Sequence, residues 1–115
     1  MTGRPSDLNL DVLSALFNDG VIAYPTEGVW GLGCLPSSEI AVQRILNLKR
    51  RRREQGLILV GAEIGHFDSY LKGLSDHEMI ELRRTWPAPV TFLIPDNGFC
   101  PDWVKGNHGT VALRV

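Results

Sequence analysis

The run Gly56-Leu57-Ile58-Leu59-Val60-Gly61 leaves few folds open to this chain. It is too short for a core helix, carries no polar residue to alternate with, and is punctuated by glycine at both ends. That is the pattern of a central strand covered on both faces. Such a strand needs helices over it, and the chain supplies them. Ser6 or Asp7 caps a first helix with Leu8, Val12, Leu13, Leu16 and Phe17 on its covering face, and Gly20 stands where a left-handed residue ends it. Pro36-Ser37-Ser38-Glu39 opens a second, with Ala41, Ile45 and Leu48 on one stripe and Val42 and Leu46 beside it. A buried strand, Val21-Ile22-Ala23-Tyr24, lies between the two helices. The order strand, helix, strand then predicts a βαβ crossover into the 56–61 run.

Further along, a short helix is expected around Ile64 to Leu71. Ser75 and Glu78 form a capping box ahead of Met79, Ile80 and Leu82, and Trp86-Pro87-Ala88-Pro89 stops that helix. Val90 to Ile94 reads as a third strand. Phe99 to His108 reads as an irregular connection anchored by Trp103, and Thr110 to Val115 reads as a fourth strand. The expected class is α/β, an open twisted mixed sheet with flanking helices. No boundary divides residues 1–115, so one domain is expected, and because no helix follows the last strand it reads as truncated.

Composition restricts the function classes. With 115 residues, 43% apolar and 22% charged, the chain is an ordinary globular domain, and its net charge of −1 confines any basic surface to a local patch. It has no long apolar run for a membrane span and no apolar centre for a signal peptide, so a cytoplasmic protein is expected. Cys34 and Cys100 lack the spacing of a metal knuckle and read as small buried residues. His66, His77 and His108 show no paired metal-ligand spacing, and His108 reads as structural or solvated. No Gly-x-Ser-x-Gly elbow occurs, so covalent catalysis is not indicated.

Two features point to a ligand. Tyr24 to Gly33 packs three glycines, Pro25, Thr26 and Glu27 into a loop at a strand end, the usual ligand rim of an open α/β sheet. Lys49-Arg50-Arg51-Arg52-Arg53 ends the second helix. A glycine-lined rim and a cation run together suit a polyphosphate, although the loop is neither a Walker A sequence nor G-x-G-x-x-G. Taken alone, the run reads first as a solvated helix end, favourable with the helix dipole. Arg114, charged within an apolar strand, must be paired, at the strand end, or facing a ligand.

Read in order, Tyr24-Pro25-Thr26-Glu27 through Gly31-Leu32-Gly33, Leu48-Lys49-Arg50-Arg51, Gly56-Leu57-Ile58-Leu59, Trp86-Pro87-Ala88-Pro89-Val90-Thr91-Phe92 and Val111-Ala112-Leu113-Arg114-Val115 strongly resemble the YrdC/TsaC family of threonylcarbamoyl-AMP synthases. The resemblance implies a twisted open α/β sheet around a basic cleft. It also implies an ATP-dependent reaction of L-threonine and bicarbonate that forms threonylcarbamoyl-adenylate and pyrophosphate for threonylcarbamoyladenosine formation on tRNA. ATP is then a substrate, Mg²⁺ accompanies it, and other tRNA-modification proteins are partners. By position, the resemblance implies nucleotide contacts for Lys49, Arg51 and Gln55, and a substrate-lining role for Tyr24, Thr26 and Gly28. Arg114 would hold the amino-acid carboxylate. Some family members bind double-stranded RNA, which makes Arg50, Arg52 and Arg53 RNA-binding candidates. Arg52 stands where the family commonly has proline, an exchange expected to loosen that turn, and the family's later Ser-x-Asn motif does not occur. The alternatives are a double-stranded RNA-binding module without catalysis, and an inactive fragment with an exposed apolar edge at Val111 to Val115.

Overall fold

The computed structural model describes residues 5–25 and 30–115, with side chains described from residue 10 except at 26–29. The chain divides into two compact units, Met1–Arg51 and Arg52–Val115.

In the first unit, helix α1 (Pro5–Phe17) is followed by strands β1 (Ile22–Pro25) and β2 (Trp30–Gly33) and helix α2 (Glu39–Lys49). Strand β2 falls within the stretch expected to be a loop. It pairs antiparallel with β1, Tyr24 lying opposite Gly31 and Ile22 opposite Gly33. β1 is not a buried strand, since Ala23 and Pro25 are exposed. Glycine is a poor strand former, so this pairing needs an outside cause. The Tyr24 ring supplies it: a Cβ at Gly31 would lie 2.9 Å from Tyr24 Cζ, and one at Gly33 would lie 3.0 Å from Tyr24 Cε1. The aromatic ring therefore covers the two bare backbone positions across the strand pair.

Both helices end in the same way. At α1 the left-handed residue is Asp19, with φ 58°, rather than Gly20, whose N–H donates to Ala15 O at 2.8 Å. At α2 it is Arg50, with φ 52° and ψ 42°. The Arg50 N–H donates to Asn47 O at 3.2 Å and the Arg51 N–H to Leu46 O at 2.9 Å, the two bonds of a Schellman motif. Asp19 has a second use. The Ser38 hydroxyl donates to Asp19 Oδ1 at 2.6 Å while accepting from the Ala41 N–H at 3.1 Å, so one residue caps α2 and ties it to the end of α1. Ala41, Val42, Ile45 and Leu46 form the buried face of α2, but Leu48 is exposed. On α1, Leu13 and Phe17 are exposed as well, with Val12 and Leu16 half-buried.

The second unit holds strands β3 (Ile58–Val60), β4 (Thr91–Pro95) and β5 (Thr110–Arg114), helices α3 (Asp68–Leu71), α4 (Asp76–Thr85) and α5 (Asp102–Lys105), and 3-10 turns at Arg53–Gln55 and Ile64–Phe67. Its sheet is mixed and open, in the order β3-β5-β4, with β3 parallel and β4 antiparallel to β5. The expected βαβ crossover from β1 into β3 does not form, because β1 is paired in the hairpin of the first unit and the parallel partner of β3 is β5. The 56–61 run is correspondingly an edge strand of the described sheet. Leu59 is buried while Ile58 and Val60 are 54% and 65% exposed, so only one face is covered. β5, for which the inactive-fragment alternative alone predicted an exposed edge, is the middle strand, with Val111 and Leu113 buried.

The capping box at α4 is present. Ser75 Oγ accepts from the Glu78 N–H at 3.1 Å and Glu78 Oε1 accepts from the Ser75 N–H at 3.0 Å. Those bonds hold the Glu78 carboxyl below its ordinary range. Residues 99–108 are not wholly irregular, since α5 lies within them, and its buried anchor is Val104 rather than the half-buried Trp103.

Lys105, in the last turn of α5, makes the best-sheltered ion pair of this unit. Its Nζ lies 2.8 Å from Asp96 Oδ2, the two side chains being 20% and 14% exposed. The Lys105 hydrogen bond, aided by the Gly98 N–H, lowers the Asp96 pKa, and the same bond raises that of Lys105. The depressed carboxylate stabilises the fold above its unfolded pKa of about 3.9, and that contribution is lost as pH falls through the folded value. The Lys105 contribution is present below its unfolded pKa of about 10.4 and lost as pH rises through its raised value. Asp96→Asn is therefore expected to lower stability at neutral pH and to flatten the acid limb below about pH 4. Urea unfolding of parent and variant between pH 2 and 7 measures this, and parallel curves would count against it.

Candidate functional site

The described candidates sit on elements whose local chemistry is visible. Thr26 and Gly28 lie outside the described residues. Tyr24, half-buried on β1, lays its ring over Gly31 and Gly33.

Lys49, Arg50 and Arg51 are brought together at the end of α2 by the Schellman motif, and all three are exposed. Cations at a helix C-terminus are favoured by the dipole. The left-handed Arg50 is not, since a Cβ in that conformation costs about 1–2 kcal/mol against about 0.5–1 kcal/mol of lost chain entropy for glycine. Arg50→Gly is expected to raise the stability of the first unit by up to about 1 kcal/mol, read as a higher denaturation midpoint; a fall in stability would contradict the strain.

In the second unit, Arg52 precedes the 3-10 turn at φ −72° and ψ 141°. Its replacement of proline does not loosen the turn. The φ is one proline would hold, and the N–H that proline lacks donates to Gln55 Oε1 at 3.2 Å. Gln55 thus closes the turn with its carboxamide oxygen. Its backbone carbonyl meets His108 Nε2 at 3.0 Å, a contact 53 residues distant in sequence. This contact ties the His108 ring to the turn, and its partner could not be read from spacing.

Two glycines hold this turn against the segment after α5. Gly56 has φ 73° and ψ 174°, and a Cβ on it would lie 2.5 Å from Lys105 O. Gly106 has φ 70° and ψ −149°, and a Cβ on it would lie 2.4 Å from Glu54 O. Both occupy a region open only to glycine. The Leu57 N–H donates to Val104 O at 2.8 Å and the Asn107 N–H to Glu54 O at 2.9 Å. Nothing in the sequence marked this clasp beyond the glycines themselves.

Arg114 closes β5, with Val60 opposite on one side and Thr91 on the other. It points away from the core that Val111 and Leu113 fill and is exposed on a sheet face that also carries Ile58, Val60 and Leu93. A guanidinium beside apolar surface suits a small ligand with a carboxylate and an aliphatic body. The cysteines are poor nucleophiles. Burial raises the Cys34 pKa, and Cys100 is pushed up to about 11, chiefly by burial and then by the negative charge of Asp96. Among the described residues no cluster of three or more His, Cys, Asp or Glu could hold a metal, and no helix is long and apolar enough to cross a membrane.

The two units are those of an α/β protein with open sheets and flanking helices, and among the described residues the exposed charge at the candidate positions is that of Lys49 to Arg53 and Arg114. The family model Sua5_yciO_yrdC, described as "Telomere recombination", matches residues 14–115, and the chain belongs to that family. Threonylcarbamoyl-AMP synthase of Hahella chejuensis is 50% identical over 103 residues, covering 90% of this chain and 56% of that protein. The protein of the same name from Marinobacter nauticus is 47% identical over 116 residues, covering 99% of this chain and 61% of that one. The chain thus spans somewhat over half the length of these relatives. Among solved structures, P. abyssi Sua5 complexed with L-threonine matches with a TM-score of 0.81 at 28% identity, covering 98% of this chain and 34% of that one.

Proposed function

We propose that this chain carries the nucleotide- and threonine-binding part of a threonylcarbamoyl-AMP synthase, a nucleotidyltransferase acting on L-threonine, bicarbonate and ATP. The observation that carries this reading is the 50% identity to a relative of that name across 90% of the chain. The threonine complex of the similar P. abyssi Sua5 supports the amino-acid substrate.

The threonine amine and bicarbonate form a carbamate with loss of water. A carbamate oxygen then attacks the α-phosphorus of ATP; the new O–P bond forms as the bond to the β-phosphate bridge breaks, and pyrophosphate leaves. No protein nucleophile is needed, which agrees with thiols held protonated by burial. In this reading Lys49 and Arg51 neutralise the phosphates, Gln55 lies beside the nucleotide, Arg114 takes the threonine carboxylate, and Tyr24, Thr26 and Gly28 line the substrate. Mg²⁺ would enter on the nucleotide, held by phosphate oxygens and water as is usual for this ion, which fits described residues without a carboxylate cluster. The adenylate would serve tRNA modification.

The test is calorimetric titration of the purified chain with ATP and with L-threonine, beside pyrophosphate release by a version spanning the relatives' full length. Binding of both ligands, and release that requires threonine, bicarbonate and ATP together, are expected; a chain that does not bind ATP, or a full-length version without such release, would overturn the proposal.

A second reading, an RNA-binding module, is favoured by one observation, the exposure of every residue from Lys49 to Arg53. It predicts salt-sensitive binding to duplex RNA that survives replacement of Thr26 and Arg114 but not neutralisation of Arg50, Arg51, Arg52 and Arg53.

A further inference from the structure

We infer that Lys105 to His108 form a brace that sets the Arg52–Gln55 turn, with His108 as a positioning residue for the nucleotide; this rests on the proposed function above. The brace is tied at both ends. At one end Lys105 is held by Asp96 at 2.8 Å, and the Asp96 N–H donates to Gly109 O at 3.0 Å, which fixes the segment to the end of β4. At the other, three backbone-level contacts converge on three consecutive residues. Asn107 donates to Glu54 O, His108 Nε2 reaches Gln55 O, and the backbones at Gly56 and Gly106 pass closely enough that neither position admits a Cβ.

The turn so gripped also orients its own side chain, since Gln55 Oε1 accepts from the Arg52 N–H. A shift of the Gln55 carbonyl would therefore move both the carboxamide and the two arginines at the start of the turn. Of the contacts named between the brace and the turn, that of His108 is made by a side chain, and it is exposed. It can be removed without opening a cavity. As a donor to a carbonyl, Nε2 must carry the ring proton, and a glutamine amide supplies an N–H at similar reach.

The experiment compares parent, His108→Ala and His108→Gln in two measurements: hydrogen exchange at the Gln55, Gly56 and Asn107 amides, and ATP affinity by calorimetry. Faster exchange at these amides and an ATP Kd raised about fivefold in His108→Ala, the size of one lost hydrogen bond, are expected. Both should return toward parent values in His108→Gln, with the thermal midpoint near that of the parent throughout. Unchanged exchange in His108→Ala overturns the brace. Faster exchange with unaltered affinity, in a parent that binds ATP, overturns the positioning role and leaves the proposed function standing. A parent that does not bind ATP overturns the proposed function and the positioning role with it, while exchange still reads the brace. Failure of glutamine to restore either quantity overturns the hydrogen bond as the cause.

Discussion

Gly56→Ala is expected to destabilise the second unit by at least about 3 kcal/mol, a large fraction of what a domain of this size possesses. Two costs combine. At φ 73° and ψ 174° the backbone is in a region essentially reserved for glycine, worth about 1–3 kcal/mol. The added Cβ would also lie 2.5 Å from Lys105 O and 3.1 Å from Lys105 C, backbone atoms that cannot rotate aside as a side chain would. Relief requires moving α5, and with it the sheltered Lys105–Asp96 pair. Gly73→Ala is the control: its φ is 100°, but nothing lies within 4 Å of the new Cβ, so it bears the conformational cost alone. Denaturation midpoints that fall equally in the two variants would show that the close passage at Gly56 contributes nothing.

Arg114→Ala is expected to lower kcat/KM for threonine by about a hundredfold or more, with ATP affinity changed much less. A charged hydrogen-bonded pair is worth about 2–5 kcal/mol when one partner is truncated, and about 2.7 kcal/mol already corresponds to a factor of one hundred. Arg114→Lys should recover little, because a carboxylate held by a planar fork is not held equally by a point charge. The fold should tolerate both changes, since the side chain is exposed at the strand end while Leu113 carries the packing. Steady-state kinetics with threonine as the varied substrate decides the matter; an unchanged kcat/KM would remove Arg114 from the substrate site.

Parts of the fold with local causes were legible in the sequence. The capping box of Ser75 and Glu78 was read from residue type and spacing, and both of its bonds are present. β2 was not, because its strand character arises from a tyrosine on the neighbouring strand that covers two glycines. The uniform apolar run at 56–61 correctly marked a strand but concealed its exposure. Four aliphatic residues in succession carry no period-2 signal to say that one face lies open. α5 left a fainter local trace, an acid and a base three residues apart after Pro101. At the site, the cation run was visible as sequence, whereas the left-handed Arg50 that shapes it was not. The His108 contact joins residues separated by most of the second unit, beyond the reach of any spacing rule.

The strand order β3-β5-β4 bears on how the protein is made. Ribosomal synthesis delivers β3 first and β4 next, and neither pairs with the other. Both wait, with Leu59 and Ile94 uncovered, for the strand that joins them. Until residues 110–114 are made, β3 lacks its parallel partner and β4 its antiparallel one. Pairing then closes long loops in a single late event, so the unit forms after translation of its middle strand rather than progressively along the chain.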